Sequence, residues 1–284
     1  MTLTVPESYS FCRDLSRRRA KNFYYSFVLL NAAQRDAMCA IYAFMHYCDD
    51  LSDEAGSTTL ETMSQWRADL DRALAGSFSS HPVWPAFHHA VAHYKIPHTY
   101  FHDMIDGVSS DLTPQSIETF DELYQYCYRV ASVVGLTIIH IFGFDDPKAL
   151  ELAEKCGIAF QLTNILRDVQ EDIGLGRLYL PRQDLLRFGV DPARIAYNQP
   201  FFAMMRFQAA RARVYYDEAM PLVRLVHRDS RASLWALIQI YSRLLARIEA
   251  KQYRVLDQRI RLSTPEKALL VLEAATRKAA GHFQ

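Results

Sequence analysis

The chain has 284 residues, half of them apolar, and its 32 basic side chains balance 32 acidic ones for a formal net charge of zero. That is enough apolar material to bury a large core. The neutral total excludes the basic excess that drives non-specific nucleic-acid binding, so no nucleic-acid partner is expected. The five cysteines are Cys12, Cys39, Cys48, Cys127 and Cys156. An odd count without a Cys-x-x-Cys pair argues against a disulfide framework, and a reducing cytoplasm is the expected location.

Residues 1–19 contain no apolar stretch of signal-peptide type. Along most of the chain apolar residues recur every three to four positions, the helical period. The pattern predicts helices over residues 8–21, 32–54, 60–75, 83–93, 98–109, 120–142, 147–172, 200–226, 231–256 and 265–280. Residues 173–192 are predicted irregular, because Gly174, Gly176, Pro181, Gly189 and Pro192 interrupt them. The apolar stretch 130–144 is too short and too polar, with Ser132, Thr137 and His140, for a membrane span. There is no linker, repeat or low-complexity tract. Residues 1–284 are therefore expected to form one all-α domain, a bundle of long helices around a deep interior.

Two acidic clusters stand out. Asp49, Asp50, Asp53 and Glu54 follow a very apolar run at the C-terminal end of a predicted helix. Asp49 and Asp53, four apart, share a face. Carboxylates at a helix C-terminus oppose the helix dipole and call for a compensating cation. In the second cluster Gln161, Asn164, Asp168 and Asp172 form a polar stripe at steps of three, four and four, beside Phe160, Leu162, Ile165 and Leu166. A hydrated Mg²⁺ shared with a diphosphate would satisfy such a stripe, since Mg²⁺ takes oxygen ligands and keeps waters. Arg167 could hold phosphate oxygens with both arms of its guanidinium. One cluster alone would read as a solvated helix face; two, one with Asn and Arg in phase, read as a metal site. A di-iron bundle would need Glu-x-x-His pairs, and none occurs. Zinc would need His or Cys at ligand spacing.

These residues resemble the squalene/phytoene synthase family over nearly the whole chain. The matching segments are residues 20–27, Ala40 to Phe44 followed by the first aspartate cluster, Tyr126 to Gly135, and Gln161 to Asp172 followed by Gly176 to Pro181. A weaker match covers Tyr241 and residues 253–261. The resemblance implies the isoprenoid synthase helical bundle with a central apolar cavity, and Mg²⁺-dependent head-to-head condensation of two prenyl diphosphates. It assigns Asp49, Asp53, Asn164, Asp168 and Asp172 to metal binding. It assigns Lys21, Arg167, Arg259 and Tyr241 to diphosphate, and Tyr126 and Tyr179 to the reacting carbons, with the metal-binding aspartates also counted as catalytic. Phe23, Gln161, Val130, Ala131 and Gly135 line the prenyl tunnel in this reading.

Farnesyl diphosphate, converted through presqualene diphosphate to squalene or dehydrosqualene, is the leading expectation. Phytoene formation from two geranylgeranyl diphosphates is the alternative. Phe27 and Cys39, both expected near the tunnel, point in opposite directions on chain length. NADPH use stays open: squalene formation needs a hydride, dehydrosqualene and phytoene do not. A head-to-tail elongase or terpene cyclase fits the second cluster less well, and a catalytically silent lipid-binding or assembly factor would have no use for the aspartates. A peripheral membrane contact would suit a lipid product. Three positions depart from the family pattern: Ala20 where Ser is frequent, His46 where Arg is frequent, and Ser132 where Gly is usual.

Overall fold

A computed structural model describes residues 3–20, 23–53, 60–112 and 116–283, and of Phe23, Ser52 and Asp53 only the backbone. Lys21 and Glu54 lie outside the described residues. The described chain is all-α. Its helices are α1 (Val5–Arg19), α2 (Phe23–Phe27), α3 (Ala32–Asp53), α4 (Leu60–Leu74), α5 (Trp84–Tyr94), α6 (Thr99–Ser110), α7 (Phe120–Cys127), α8 (Val133–Phe142), α9 (Lys148–Gly174), α10 (Arg182–Phe188), α11 (Gln199–Ala219), α12 (Leu222–Leu225), α13 (Arg228–Ala250) and α14 (Thr264–Ala279). Among the described residues the only β pairing is two isolated bridges. No described helix is long and apolar enough to cross a membrane.

Helix α9 is the axis of the bundle. It packs against α11, α8 and α13, and against the single π-helical turn of residues Tyr128–Ser132 that joins α7 to α8. The π turn is closed by the Val133 N–H donating to the Tyr128 carbonyl, five residues back. Close approach explains its glycines. A Cβ on Gly157 of α9 would stand 2.4 Å from the Ser132 Cα, and one on Gly107 of α6 would stand 2.8 Å from the Arg129 Cβ. The π turn is thus wedged between α6 and α9. On the other side of the bundle α3 packs against α1, α5, α6 and α8. Phe44 meets Trp66, Trp84, Phe87 and Phe101 there, with ring centroids 4.6–6.0 Å apart. Offset and edge contacts of this kind add to the burial of large rings.

Several boundaries differ from the periodic reading. The predicted helix 120–142 contains the π turn, which period counting cannot see. The predicted helix 200–226 is split, with Pro221 at the N-cap of α12. The predicted helix 231–256 stops at Ala250, because Gln252 and Tyr253 take left-handed φ values of 51° and 56°. Tyr253 and Val255 are buried all the same, since the chain turns back onto the core, and this prolonged the apolar pattern. The region expected to be irregular holds α10, and α2 was not predicted.

Gly157→Ala should destabilise the fold by about 1–3 kcal/mol, because the added methyl meets backbone rather than a flexible side chain. Gly174→Ala, with nothing within 4 Å of the new Cβ, should leave stability unchanged or slightly raised. Urea denaturation of the two variants would show equal midpoints if the close approach were not real.

Candidate active site

A cavity of about 350 Å³ opens inside the bundle, walled by α3, α6, the π turn, α8, α9 and α13. Helix α3 lines it with Met38, Ile41, Tyr42, Met45, His46 and Asp49, residues three and four apart along one face. Helix α9 lines it with Gly157, Phe160, Gln161, Asn164, Asp168 and Asp172, again on one helical face. Each helix therefore runs an apolar stripe along the cavity that turns acidic towards its C-terminal end. Tyr241 stacks on Phe160 with centroids 4.3 Å apart and planes 12° from parallel. Phe27, Leu234 and Leu237 close part of the apolar wall.

The π turn places Val130 and Ala131 on this wall, and α8 adds Val134 and Gly135. A Cβ on Gly135 would stand 3.0 Å from the Ala153 carbonyl, so this wall is thin by necessity. Ser132 does not line the cavity; its hydroxyl donates to the Glu154 carbonyl at 2.8 Å.

Asp168 holds two cations. Arg167 donates Nε to Oδ1 at 2.7 Å, and its Nη2 pairs with Oδ2. Arg259, from the segment after α13, reaches Oδ1 at 2.9 Å and Oδ2 at 3.1 Å, and its other arm reaches Glu171 at 2.7 Å. Asp172 lies deeper in electrostatic terms. Burial, then Asp168 and Glu171, push its carboxyl up to about 8 against the pull of Arg177. The buried Oδ1 of Asn164 has no hydrogen-bond partner, while its Nδ2 donates to Gln161 at 3.3 Å.

Tyr126 and Tyr179 stack with centroids 4.7 Å apart and planes 19° from parallel. Both hydroxyls donate to one carboxylate, Asp111, at 3.0 and 2.8 Å. Burial, followed by the nearby Asp111, holds both phenols well above their ordinary pKa, so they stay protonated. Tyr179 is delivered by a short anchored segment. Gly176, at φ 73°, turns the chain after α9, Leu178 bridges to Ser116, and the Arg182 and Gln183 amides donate to the Ile117 and Glu118 carbonyls.

Of the residues singled out in the sequence, Asp49, Tyr126, Val130, Ala131, Gly135, Gln161, Asn164, Asp168, Asp172, Tyr179 and Tyr241 meet at this one cavity. Arg167 and Arg259 join it through Asp168. Lys21 and the side chains of Phe23 and Asp53 lie outside the described residues. Phe27 lines the cavity but Cys39 does not: it falls off the α3 stripe, and its carbonyl accepts from Ser16 on the α1 side. His46 lines the cavity, stacks on Tyr42 and sits 3.3 Å from Asp50; burial pushes its imidazole pKa down, so at neutral pH it does not replace an arginine's charge. Asp111 and Arg177 were missed. Asp111 caps the C-terminal end of the apolar helix α6, the same signal that marked the two aspartate clusters.

Among the described residues no three carboxylate, imidazole or thiol groups form a metal site by themselves. The donor set nevertheless fits Mg²⁺ shared with a diphosphate. An orphaned amide oxygen on Asn164 and a carboxyl on Asp172 that resists ionisation both call for a hard cation.

An apolar cavity inside an all-α bundle, with acidic stripes ending on two of its helices, defines an isoprenoid synthase-type prenyltransferase. The chain belongs to the squalene/phytoene synthase family, whose sequence profile matches residues 16–266. It is 37% identical to a phytoene synthase of Arthrospira platensis, over 94% of this chain and 92% of that protein. It is 36% identical to a 15-cis-phytoene synthase of a Synechocystis strain, over 94% and 84%. A crystal structure of a dehydrosqualene synthase in complex with ligand superposes with a TM-score of 0.89 at 28% identity, covering 97% of this chain and 98% of that one.

The raised carboxyl of Asp172 makes stability depend on pH. The folded chain holds a proton up to about 8 that the unfolded chain loses near 3.8. The folded state binds more protons in that window, so this contribution is complete below 3.8 and is lost as pH rises towards 8. In chelator-treated protein, Asp172→Asn should flatten the fall of the melting midpoint between pH 5 and 8; an unchanged slope would place the titration elsewhere.

Proposed function

We propose that this chain joins two geranylgeranyl diphosphates head to head, with Mg²⁺, to give phytoene. The observation that carries the reaction class is the single cavity where an apolar wall ends in Asp49 on one helix and Asn164, Asp168 and Asp172 on another. For the substrate, the sequence leans to farnesyl diphosphate. The phytoene synthase names of relatives aligned over nearly all of this chain favour the longer geranylgeranyl chain instead. The wall is suited to long flexible chains: Met38, Met45 and Met104 are deformable, and Ala131, Gly135, Ala153 and Gly157 take little room.

Asn164, Asp172, Asp49 and part of Asp168 would hold Mg²⁺, with Asp53 carried over as a further ligand, and Lys21 as a diphosphate contact, from the family resemblance. Bound there, Mg²⁺ neutralises charge on the departing diphosphate. Arg167 and Arg259 are built to exchange carboxylate for phosphate oxygens, which they grip with the same fork. As the first C–O bond breaks, its electron pair leaves with the diphosphate, and the allylic cation remains in the apolar cavity, shielded from water. The double bond of the second substrate attacks it, and loss of a proton closes a cyclopropane. A second C–O heterolysis, rearrangement and loss of another proton give the hydrocarbon. Tyr126 and Tyr179 present π faces to the cation. Both are protonated and tethered to Asp111, so they orient and stabilise, and the released diphosphate is the base. No hydride enters this sequence, so NADPH has no part in it. The enzyme would work in the cytoplasm, and a peripheral membrane contact for the lipid product would form at Ile173 and Leu175, exposed next to Asp172.

Purified protein supplied with geranylgeranyl diphosphate and Mg²⁺, without NADPH, should release diphosphate and yield a forty-carbon hydrocarbon by mass. Asp49→Ala and Asp172→Ala should each lower kcat by about a hundredfold or more. A thirty-carbon product from farnesyl diphosphate alone would move the assignment to dehydrosqualene formation, and no diphosphate release from either substrate would end the enzymatic reading.

A further inference from the structure

Arg259 reaches Asp168 from a segment with no regular structure, residues 251–263, between α13 and α14. A guanidinium on an untethered loop would lose much of its grip to the entropy of holding it. Here the segment is fixed along its length. Gln252 and Tyr253 turn it in left-handed conformations, with the Tyr253 amide donating to the Ile248 carbonyl at 2.9 Å. Tyr253, Val255, Ile260 and Leu262 are buried. At the far end Ser263 caps α14 in a reciprocal pair with Glu266, which also pairs with Arg247.

Between these anchors lie the backbone amides of Leu256 and Asp257. Both donate to one acceptor, the hydroxyl of Tyr197, at 2.9 and 3.1 Å. Tyr197 sits just before the N-cap of α11 and is itself held. Its ring stacks on Phe202, with centroids 5.7 Å apart and planes 9° from parallel, and meets Phe201 edge-on. Arg254 lies over the same ring, 5.1 Å from its centroid, and reaches back to Asp257 at 3.4 Å. Since α11 packs along α9, the tyrosine refers the strap to the helix that carries Asp168 and Glu171.

We propose that Tyr197 is a positioning residue: its hydroxyl pins residues 256–257 and so delivers the Arg259 guanidinium to the diphosphate end of the cavity. The proposal rests on the reading of Arg259 as a diphosphate contact. Tyr197 touches neither substrate nor metal in this account. It acts two to three residues upstream of the arginine, through backbone amides that share its hydroxyl as acceptor. Tyr197→Phe keeps the ring, its stacking and the contact with Arg254, and removes only the hydroxyl, which accepts from the two amides and also bonds the Asp257 side chain.

The test is a double-mutant cycle read by calorimetric binding of inorganic diphosphate in the presence of Mg²⁺, with wild type, Tyr197→Phe, Arg259→Ala and the double variant. Amide hydrogen exchange of the first two proteins accompanies it. Tyr197→Phe should weaken diphosphate by about three- to tenfold, the scale of one or two lost hydrogen bonds. It should speed exchange at Leu256 and Asp257 while leaving α9 and α11 protected. The double variant should bind no more weakly than Arg259→Ala. Equal weakening by Tyr197→Phe with and without Arg259, or none while Arg259→Ala weakens binding, would overturn the positioning role and leave the site reading intact. Undiminished affinity in Arg259→Ala would instead remove Arg259 from the diphosphate site, and the positioning role with it.

Discussion

Helix α9 has to be two things at once, a helix packed on several sides by its neighbours and the carrier of a polar stripe that faces the cavity. Thirteen of its residues, from Ala149 to Val169, are buried, some against neighbouring helices and some, such as Gly157 and Phe160, on the cavity wall. The strip from Gly157 to Asp172 faces the cavity. Buried polar groups must find partners, and the partners differ along the strip. Gln161 and Asn164 bond each other and leave one oxygen over; Asp168 is gripped by two guanidinium groups; Asp172 is pushed towards its protonated form by burial and its acidic neighbours. The cavity exists because the neighbours of α9 come close on its other sides and cannot cover this one.

The opposing wall obeys the same logic with different materials. Helix α3 is anchored by its aromatic side, where Phe44 sits among four large rings, and so presents a fixed apolar stripe ending at Asp49. The stacked pair Tyr126 and Tyr179 comes from two distant segments, and Asp111 ties them together. Removing that carboxylate would leave two buried hydroxyls without an acceptor, a larger disturbance than losing either hydroxyl.

Much of this was legible in the sequence for a simple reason: helices convert spacing into direction. Gln161, Asn164, Asp168 and Asp172 could be placed on one face by counting, as could Asp49 relative to Met38, Ile41 and Met45. What counting could not supply was a partner from another segment, and at one position within α3 it was not applied. Cys39 was expected near the tunnel on position alone, and one step of helical rotation takes it to the α1 side. Asp111 ends the α6 stripe of Met104 and Val108 as a lone acid, and its importance depends on two tyrosines 15 and 68 residues away. Arg259 was recognisable by resemblance, but what holds it, Tyr197, is about 60 residues earlier and makes no pattern with it.

The π turn at Tyr128–Ser132 has an evolutionary reach beyond its packing. It contains one residue more than an α-helical turn would use, so α7 and α8 are out of angular step by about 100° relative to an unbroken helix. The upstream half is thereby aligned to aim Tyr126 at Asp111, and the downstream half to aim Val134 and Gly135 at the cavity. A single-residue deletion within residues 128–132 would restore a regular helix and could keep only one of these alignments. Length in this short stretch is therefore constrained more tightly than side-chain identity, and related chains should tolerate exchanges here far better than gaps.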